Sequence, residues 1–179
     1  MDGYTIDNCL KQCEITRPYY KGIYSIDTIP YINKSEPYFI IVNTDIASGD
    51  GKHWIVLFYI NSNYVEIFDS LGQSPYAYGK YFKQYIKENV SVEFIYTNKR
   101  IQNLKSNVCG AHCLFYSYKK CQKKLSLYSL INRYYLNDTN YNDCSVLCFG
   151  RKVFKLSPNI VRNMLNTVSK CVLDKNHCG

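Results

Sequence analysis

Two apolar segments joined by a short polar loop constrain the fold more than any other feature of this sequence. The segments "HWIVLFYI" (53–60) and "YVEIFDS" (64–70) are rich in β-branched and aromatic residues, which are typical of strands. The intervening "NSN" contains residues that tolerate tight turns. The pattern predicts a β-hairpin, and such a hairpin brings His53 and Asp69 close together at its open end.

Further elements are predicted on both sides of the hairpin. A central helix with apolar residues on nearly every side begins at Cys109. We expect an α+β fold with a mostly antiparallel sheet flanked by helices, in one domain that spans residues 1–179. The other predictions are strands at 37–43 and 91–97, helices at 6–13 (capped by Thr5), 74–89, 125–136 and 158–173, a polar loop at 98–108, and an irregular stretch between the last two helices.

The cysteines and the N-terminus indicate a protein that is neither secreted nor embedded in a membrane. The start "MDGYTIDNC" shows no secretory signal, and the longest apolar stretch, 54–60, is far shorter than the roughly 20 residues that cross a bilayer. We therefore expect the 9 cysteines to be reduced thiols. Three cysteine pairs have a spacing of four residues, but no paired histidine ligands accompany them, so no metal site is predicted.

The charge is unevenly distributed along the chain. The formal net charge is +8, yet residues 1–98 hold 8 Lys/Arg against 11 Asp/Glu, whereas residues 99–179 hold 14 against 3. A net of +11 in the second part favours a basic surface that binds DNA or another polyanion. A solvated basic surface without a partner explains the same charge equally well.

Four side chains form a candidate catalytic set. A cysteine attacks only as the thiolate, and a position at the start of a helix favours that anion at Cys109. Gly110 leaves room for a substrate backbone and keeps the amide of Cys109 accessible. His53 is the candidate base, and Asp69 is placed to orient it. Gln102 offers a side-chain amide to a developing oxyanion.

The order and context of these residues resemble those of the superfamily that contains adenovirus-type cysteine proteases (adenain) and SUMO-specific proteases. The matching motifs are "GKHW", "IFDSLG", a Gln seven residues before the Cys, and "NVCGAHC". "IVNTDIASGDGKHWI" and "PYYKGIYSIDTIP" also resemble adenain segments. The resemblance covers about residues 1–125.

The resemblance implies a viral thiol endopeptidase that matures virion precursor proteins at Gly-containing sites, in the virion and the infected cell. In that family the His is base and later acid, and the carboxylate orients it. The Gln side chain and the Cys amide form the oxyanion hole. These roles fall on His53, Asp69, Gln102 and Cys109. The resemblance also places Trp54 over the site, and Gly51, the residues before His53 and Gly110 along a narrow substrate cleft.

Partners and activators follow from the same resemblance. Adenain is assisted by DNA and by a capsid-derived peptide, and it needs no cofactor for its chemistry. We expect a monomer with viral precursors as substrates and DNA on its basic surface. Asp69 replaces the Glu of adenain, as in SUMO-specific proteases. Residues 90–101 contain no cysteine, which argues against an activator peptide linked there by a disulfide.

Three alternatives stay open. His112 lies three residues after Cys109 and competes with His53 as the base, although a base on the same helix controls the angle of attack less well. A protease of SUMO or ubiquitin-like modifiers would use the same site, but only 52 residues precede His53 to recognise a folded substrate. A DNA-binding virion protein with an inactive protease site is the third reading.

Overall fold

Five strands form one mixed sheet in the computed structural model, which describes residues 1–31, 37–89 and 93–168. In spatial order the strands are β1 (Tyr20–Ser25), β2 (Tyr38–Asn43), β3 (Trp54–Asn61), β4 (Tyr64–Phe68) and β5 (Glu93–Tyr96). The helices are α1 (Gly3–Gln12), α2 (Lys80–Asn89), α3 (Cys109–Lys123), α4 (Leu127–Tyr134), α5 (Thr139–Phe154) and α6 (Pro158–Leu165). A 3₁₀ turn, Pro75–Tyr78, precedes α2.

The predicted hairpin is present at the centre of the sheet. Strands β2, β3 and β4 pair in antiparallel orientation, whereas the edge strands β1 and β5 pair in parallel with their neighbours. The predicted α+β fold with a mainly antiparallel sheet is confirmed, with parallel pairing at both edges. Val56 lies opposite Phe68 in the β3–β4 register. The residues that precede β3 and follow β4 therefore meet at the open end of the hairpin.

The sheet is buried on both faces. Val56 and Phe58 of β3 pack in one apolar layer with α1 and α3, while the alternating residues Ile55 and Leu57 pack in a second layer with Phe82 of α2. A strand buried on both sides has a continuous apolar sequence rather than an alternating one. This burial explains the unbroken run "WIVLFYI" that the sequence shows in β3.

A buried ion pair holds α3 against the sheet. Glu66 of β4 accepts a hydrogen bond from the Tyr116 hydroxyl at 2.8 Å and pairs with the Lys120 ammonium at 2.7 Å. The second Glu66 oxygen accepts the Leu127 amide at 3.3 Å. Removing one partner from a buried pair leaves an uncompensated charge, so this arrangement fixes the position of α3 over the hairpin.

Several boundaries differ from the sequence predictions. The prediction of an irregular stretch before the last helix is wrong, because α5 occupies Thr139–Phe154. Strand β1 was not predicted, since "YKGIYS" is short, contains Gly22, and pairs with a register shift. The first helix begins at Gly3, where the Asp2 side chain accepts from the Thr5 amide at 2.7 Å, rather than at a Thr5 cap. Gly79 separates the 3₁₀ turn from α2 within the helix predicted at 74–89.

Two cysteines differ from the expected reduced state. Cys144 and Cys148 in α5 are each disulfide-bonded, so the prediction of reduced thiols is wrong for these two residues. The part of the last predicted helix beyond residue 168 lies outside the described residues, as does the start of the strand predicted at 91–97. The free cysteines among the described residues are Cys9, Cys13, Cys109, Cys113 and Cys121.

Two glycines with positive φ give a stability test. Gly72 (φ +68°) and Gly79 (φ +86°) both favour glycine, but a Cβ at Gly72 would lie 2.6 Å from the Lys99 backbone carbon, whereas one at Gly79 meets no atom within 4 Å. The backbone of Gly79, with ψ −166°, lies in a region that is essentially confined to glycine, so we expect Gly79→Ala to lower the free energy of unfolding by about 1–3 kcal/mol through backbone strain alone. Gly72→Ala should cost about 1–3 kcal/mol more, because the clash is with backbone. Urea unfolding of both variants measures the difference, and equal losses would contradict the clash.

Candidate active site

The hairpin brings His53 and Asp69 into direct contact. His53 immediately precedes β3 and Asp69 immediately follows β4, and His53 Nε2 lies 2.6 Å from Asp69 Oδ1. Both side chains are buried, with Asp69 fully inaccessible. The antiparallel register therefore produces the His–Asp contact that the sequence pattern predicts.

The Asp69 carboxylate is held by four donors. Oδ1 accepts from His53 and from the Leu71 amide at 2.8 Å, while Oδ2 accepts from the Gln73 amide at 2.7 Å and from the Tyr78 hydroxyl at 2.5 Å. Burial raises the pKa of the Asp69 carboxyl, but the bonds from His53, Tyr78 and the Leu71 amide outweigh burial and leave the pKa below its usual value. The carboxylate is therefore charged and fixed in orientation.

The Cys109 thiol interacts with the imidazole of His53, because each group shifts the pKa of the other. Because His53 Nε2 faces Asp69, Nδ1 is the nitrogen left for the sulfur of Cys109. Burial raises the pKa of this thiol, but the hydrogen bond and charge of His53 and the Trp54 amide outweigh it, so the pKa is lowered. Burial lowers the pKa of His53, yet its bonds to Asp69 and Cys109 raise it to about 9. These shifts favour a thiolate–imidazolium pair at neutral pH.

The start of α3 leaves backbone donors free at the thiol. Cys109 is the first residue of the helix, and Val108, the residue before it, has no side-chain oxygen to cap the helix. The first N–H groups of a helix have no partner within the helix, and they favour a nearby negative charge. The first backbone hydrogen bond of the helix joins the His112 amide to the Val108 carbonyl. The Cys109 amide therefore has no partner within the helix.

The structure directs His112 away from the thiol. His112 is fully buried, with Nε2 2.8 Å from Asp143 Oδ1 and Nδ1 3.3 Å from the Tyr135 hydroxyl. Burial lowers the pKa of His112, although the bond to Asp143 acts in the opposite direction. The lowered pKa favours the neutral ring. Of the two histidines that the sequence offers near Cys109, the structure therefore brings His53 to the sulfur.

Gln102 lies in a buried hydrogen-bond network beside Asp69. Its Oε1 accepts from the Ser70 hydroxyl at 2.6 Å, and its Nε2 donates to the Ser106 carbonyl at 2.9 Å. The Asn103 amide donates to Asp143 at 3.2 Å, which fixes the loop that carries Gln102. An amide group carries two hydrogens. One hydrogen of Gln102 Nε2 is therefore left for another acceptor, and its role in an oxyanion hole stays a prediction.

The three residues predicted to contact substrate lie in different surroundings. The indole of Trp54 is half-buried and donates to the Met1 carbonyl at 3.0 Å. Gly51 is exposed in the loop between β2 and β3, at φ +86°. The predicted open space at Gly110 is filled by α1, because a Cβ there would lie 2.9 Å from Ile6 and 3.1 Å from Met1.

Several residues of the site escaped the sequence analysis. Tyr78 and Asp143 belong to no recognisable motif, whereas Ser70 lies in the "IFDSLG" motif without a predicted role. Each of the three acts by contacting a predicted residue or its loop. Within the described ranges, no group of three or more His, Cys, Asp or Glu residues is arranged to hold a metal ion. No helix there has the length and apolar character needed to cross a membrane.

Comparison with known proteins supports the fold. No protein-family model and no curated protein sequence matches the chain. The structure is similar to the crystal structure of the selenomethionine form of ASFV pS273R protease, with a TM-score of 0.55 and 18% sequence identity. The match covers 80% of this chain and 64% of that chain, so this chain spans less than two thirds of that protease. At this identity the likeness shows a shared fold, in agreement with the fold expected from the motifs.

The thiolate–imidazolium pair predicts selective alkylation. In His53→Ala the imidazolium is lost, the pKa of Cys109 rises, and its reaction with iodoacetamide at pH 6.5 should slow at least about tenfold because only the thiolate reacts. Mass spectrometry of the labelled peptide measures the rate at residue 109. His112→Gln serves as the matched control and should keep the fast reaction. Equal rates in wild type and His53→Ala would contradict the pairing.

The hydrogen bond from the Tyr78 hydroxyl to Asp69 predicts that removal of this hydroxyl lowers stability by an amount that depends on pH. A carboxyl whose pKa is lower in the folded than in the unfolded state stabilises the fold at neutral pH, and this contribution is lost as the pH falls through the folded pKa. For Asp69 that window lies below 3.8. We expect Tyr78→Phe to lower the free energy of unfolding at pH 7 by about 1.5–3 kcal/mol.

The difference should shrink as the pH is lowered below 3.8, where Asp69 becomes protonated. Urea unfolding at several pH values measures it. Tyr76→Phe is the control, because Tyr76 lies in the same 3₁₀ turn with its side chain 52% exposed. A loss that does not change with pH would show that the hydroxyl does not act through the carboxylate.

Proposed function

We propose that this chain is a cysteine endopeptidase that cleaves virion precursor proteins during maturation. The observation that carries the proposal is the hydrogen bond of His53 to Asp69 together with the interaction of His53 with Cys109, whose sulfur lies at the start of a central helix. The fold shared with a solved protease supports it. The charge states also fit, because a thiolate is the nucleophile that such a reaction needs.

The first half of the reaction forms a thioester. The Cys109 thiolate attacks the carbonyl carbon of the scissile amide, and a carbon–sulfur bond forms while the carbonyl oxygen becomes an anion. The imidazolium of His53 then gives its proton to the amide nitrogen, and the carbon–nitrogen bond breaks. The released amine carries that proton away, and His53 is left neutral, still bonded to Asp69.

The second half of the reaction hydrolyses the thioester. Neutral His53 accepts a proton from water, and the hydroxide formed adds to the acyl carbon. The carbon–sulfur bond breaks, the carboxylic acid product leaves, and the thiolate–imidazolium pair is restored. Asp69 keeps the ring in one orientation throughout, because its four donors hold the carboxylate in place.

We place the oxyanion between the start of α3 and Gln102. The Cys109 amide is free of intrahelical bonding, and Gln102 Nε2 keeps one hydrogen after donating to Ser106. Donors fixed before the reaction stabilise the developing charge without reorganisation. The bond from Ser70 holds the Gln102 amide in one orientation, so that its N–H is available at a constant angle.

The proposed substrates have glycine near the scissile bond. The half-buried indole of Trp54 next to the base, and exposed Gly51 in the loop before it, leave a site that favours residues without bulky side chains. We propose action in the virion and the infected cell, as a monomer that needs no cofactor for the chemistry. A protease of SUMO-like or ubiquitin-like modifiers is the alternative, and it differs in the substrate rather than in the chemistry.

Cleavage of precursor proteins tests the proposal. Incubation of capsid precursors from the source of this chain should yield new termini at Gly-containing sites, mapped by mass spectrometry. Cys109→Ser and His53→Ala should each lower cleavage by at least about 10²-fold. Cys13→Ala removes a free, half-buried thiol outside the site and should leave cleavage unchanged. Cleavage of SUMO-like or ubiquitin-like fusions alone would favour the alternative, and no cleavage by the wild type would reject both.

A basic cluster on α3 and α4 favours DNA as a second partner. Lys119 and Arg133 lie over the same Tyr134 ring, at 4.8 and 5.7 Å from its centre, and burial together with the charges of Lys123 and Arg133 lowers the pKa of Lys119. Lys119 also lies over the ring of Phe115. Like charges held together at a surface attract a polyanion. We propose that DNA binds here and assists the protease. An activating virion peptide would act by another route than a disulfide within residues 90–101, which contain no cysteine.

Salt titration tests the DNA proposal. If Lys123 and Arg133 each neutralise one phosphate, the slope of log affinity against log salt should fall in magnitude by about 1.8 in the double variant Lys123→Ser, Arg133→Ser. Fluorescence anisotropy with labelled double-stranded DNA measures it. Lys11→Ser is the control, because Lys11 already pairs with Asp7 at 2.6 Å on α1. An unchanged slope would place DNA elsewhere or exclude it.

A further inference from the structure

A cleft of about 380 Å³ lies directly beside His53. The loop between β2 and β3 forms one wall with Thr44 and Lys52, and the segment after Asp69 forms the other with Leu71 and Ala77. Its volume is at the lower end of the range of about 300–1,000 Å³ for ligand pockets. The cleft is therefore large enough for an amino-acid side chain and too small for a folded domain.

The cleft contacts the base but not the groups that hold the acyl half of a substrate. His53 lines it, whereas Cys109, Gln102 and Trp54 do not. During acylation the acyl group becomes bonded to the sulfur, and the proton of the imidazolium passes to the departing nitrogen. Leu71, Gln73 and Tyr78 in its lining hold Asp69, and among the groups that touch the reacting atoms only the imidazole of His53 lines the cleft. This position points to the side of the departing amine.

We propose that this cleft binds the side chain of the residue that follows the scissile bond, an inference that rests on the proposed endopeptidase function. This residue leaves with the amine, so the cleft contributes to thioester formation and not to thioester hydrolysis. The cleft thus gives selectivity on the carboxyl side of the cleaved bond, in addition to any selectivity for glycine on the other side.

The lining favours an apolar side chain of small or medium size. Leu71, Ala77 and the Tyr78 ring supply apolar surface, and the Tyr78 hydroxyl is already bonded to Asp69. The Lys52 ammonium at the edge of the cleft pairs with Asp45 at 3.0 Å. The Lys52 ammonium and the His53 imidazolium both lie in the lining, so a basic side chain would meet like charges there. An alanine, valine or leucine side chain fits this lining better than a lysine.

A substitution that fills the cleft tests the inference. Ala77 is exposed in the 3₁₀ turn, where Ala77→Phe occupies the cleft with little demand on the core. The probes are quenched fluorogenic peptides with two glycines before the scissile bond and Ala, Leu, Phe or Lys after it, and the methyl ester of the same acyl peptide. The ester releases methanol, which has no side chain to place in the cleft.

We expect Ala77→Phe to lower kcat/KM for the Leu peptide at least about tenfold, while hydrolysis of the methyl ester stays within about twofold of wild type. Ala47→Phe makes the same change at an exposed position outside the cleft lining and should alter neither rate. Leu71→Ala, which enlarges the cleft, should raise the rate for a Phe peptide relative to the Leu peptide. Wild type should cleave the Leu peptide faster than the Lys peptide.

Three outcomes would overturn the inference. An equal loss on peptide and ester would show that Ala77→Phe disturbs the catalytic groups or the acyl side. Unchanged peptide cleavage in both cleft variants would show that the cleft does not hold substrate, while the endopeptidase function stands. Absence of hydrolysis of every probe and precursor by the wild type would instead reject the proposed function together with the inference.

Discussion

The geometry of the candidate site depends on one buried carboxylate. A charge without water is costly unless donors replace its hydration, and Asp69 receives four hydrogen bonds. These donors belong to three segments, namely the start of β3, the turn after β4 and the 3₁₀ turn before α2. Each segment gains stability only where its donor reaches the carboxylate. The charge therefore fixes the three segments relative to one another. The orientation of His53, which belongs to the first of these segments, is fixed in the same way.

Two His–Asp pairs of similar length differ in what they can do. His53 lies 2.6 Å from Asp69 and His112 lies 2.8 Å from Asp143, but the pKa is raised to about 9 in His53 and lowered in His112. Complete burial has the largest effect on His112 and lowers its pKa, whereas at His53 the Cys109 thiol adds to the effect of Asp69 and stabilises the charged form. His112 instead bonds the residue that also holds the Gln102 loop, so it contributes to positioning.

The sequence predicts those parts of the molecule in which local pattern and tertiary burial agree. The hairpin and the helix that begins at Cys109 have strongly apolar sequences and tight turns, and both are present. Helix α5 escaped prediction because its inward side includes Asn142 and Asp143, and polar residues normally indicate a loop. Their burial is stabilised by bonds to distant segments, such as that from Asn142 Nδ2 to the Ile101 carbonyl at 3.0 Å. The sequence does not indicate the role of Tyr78 for the same reason, because its hydroxyl reaches Asp69 only in the folded structure.

Surroundings, rather than residue type, distinguish the reactive cysteine from its neighbour on α3. Cys109 and Cys113 lie one helical turn apart, and both contact the backbone of Trp54. The Trp54 amide stabilises the Cys109 thiolate, whereas the Trp54 carbonyl accepts the Cys113 thiol at 3.3 Å and so favours its neutral form. Burial raises the pKa of Cys113 well above its usual value. The imidazole of His53 beside Cys109 and the complete burial of Cys113 therefore decide which thiol is ionised, and the backbone of Trp54 acts in the same direction at both.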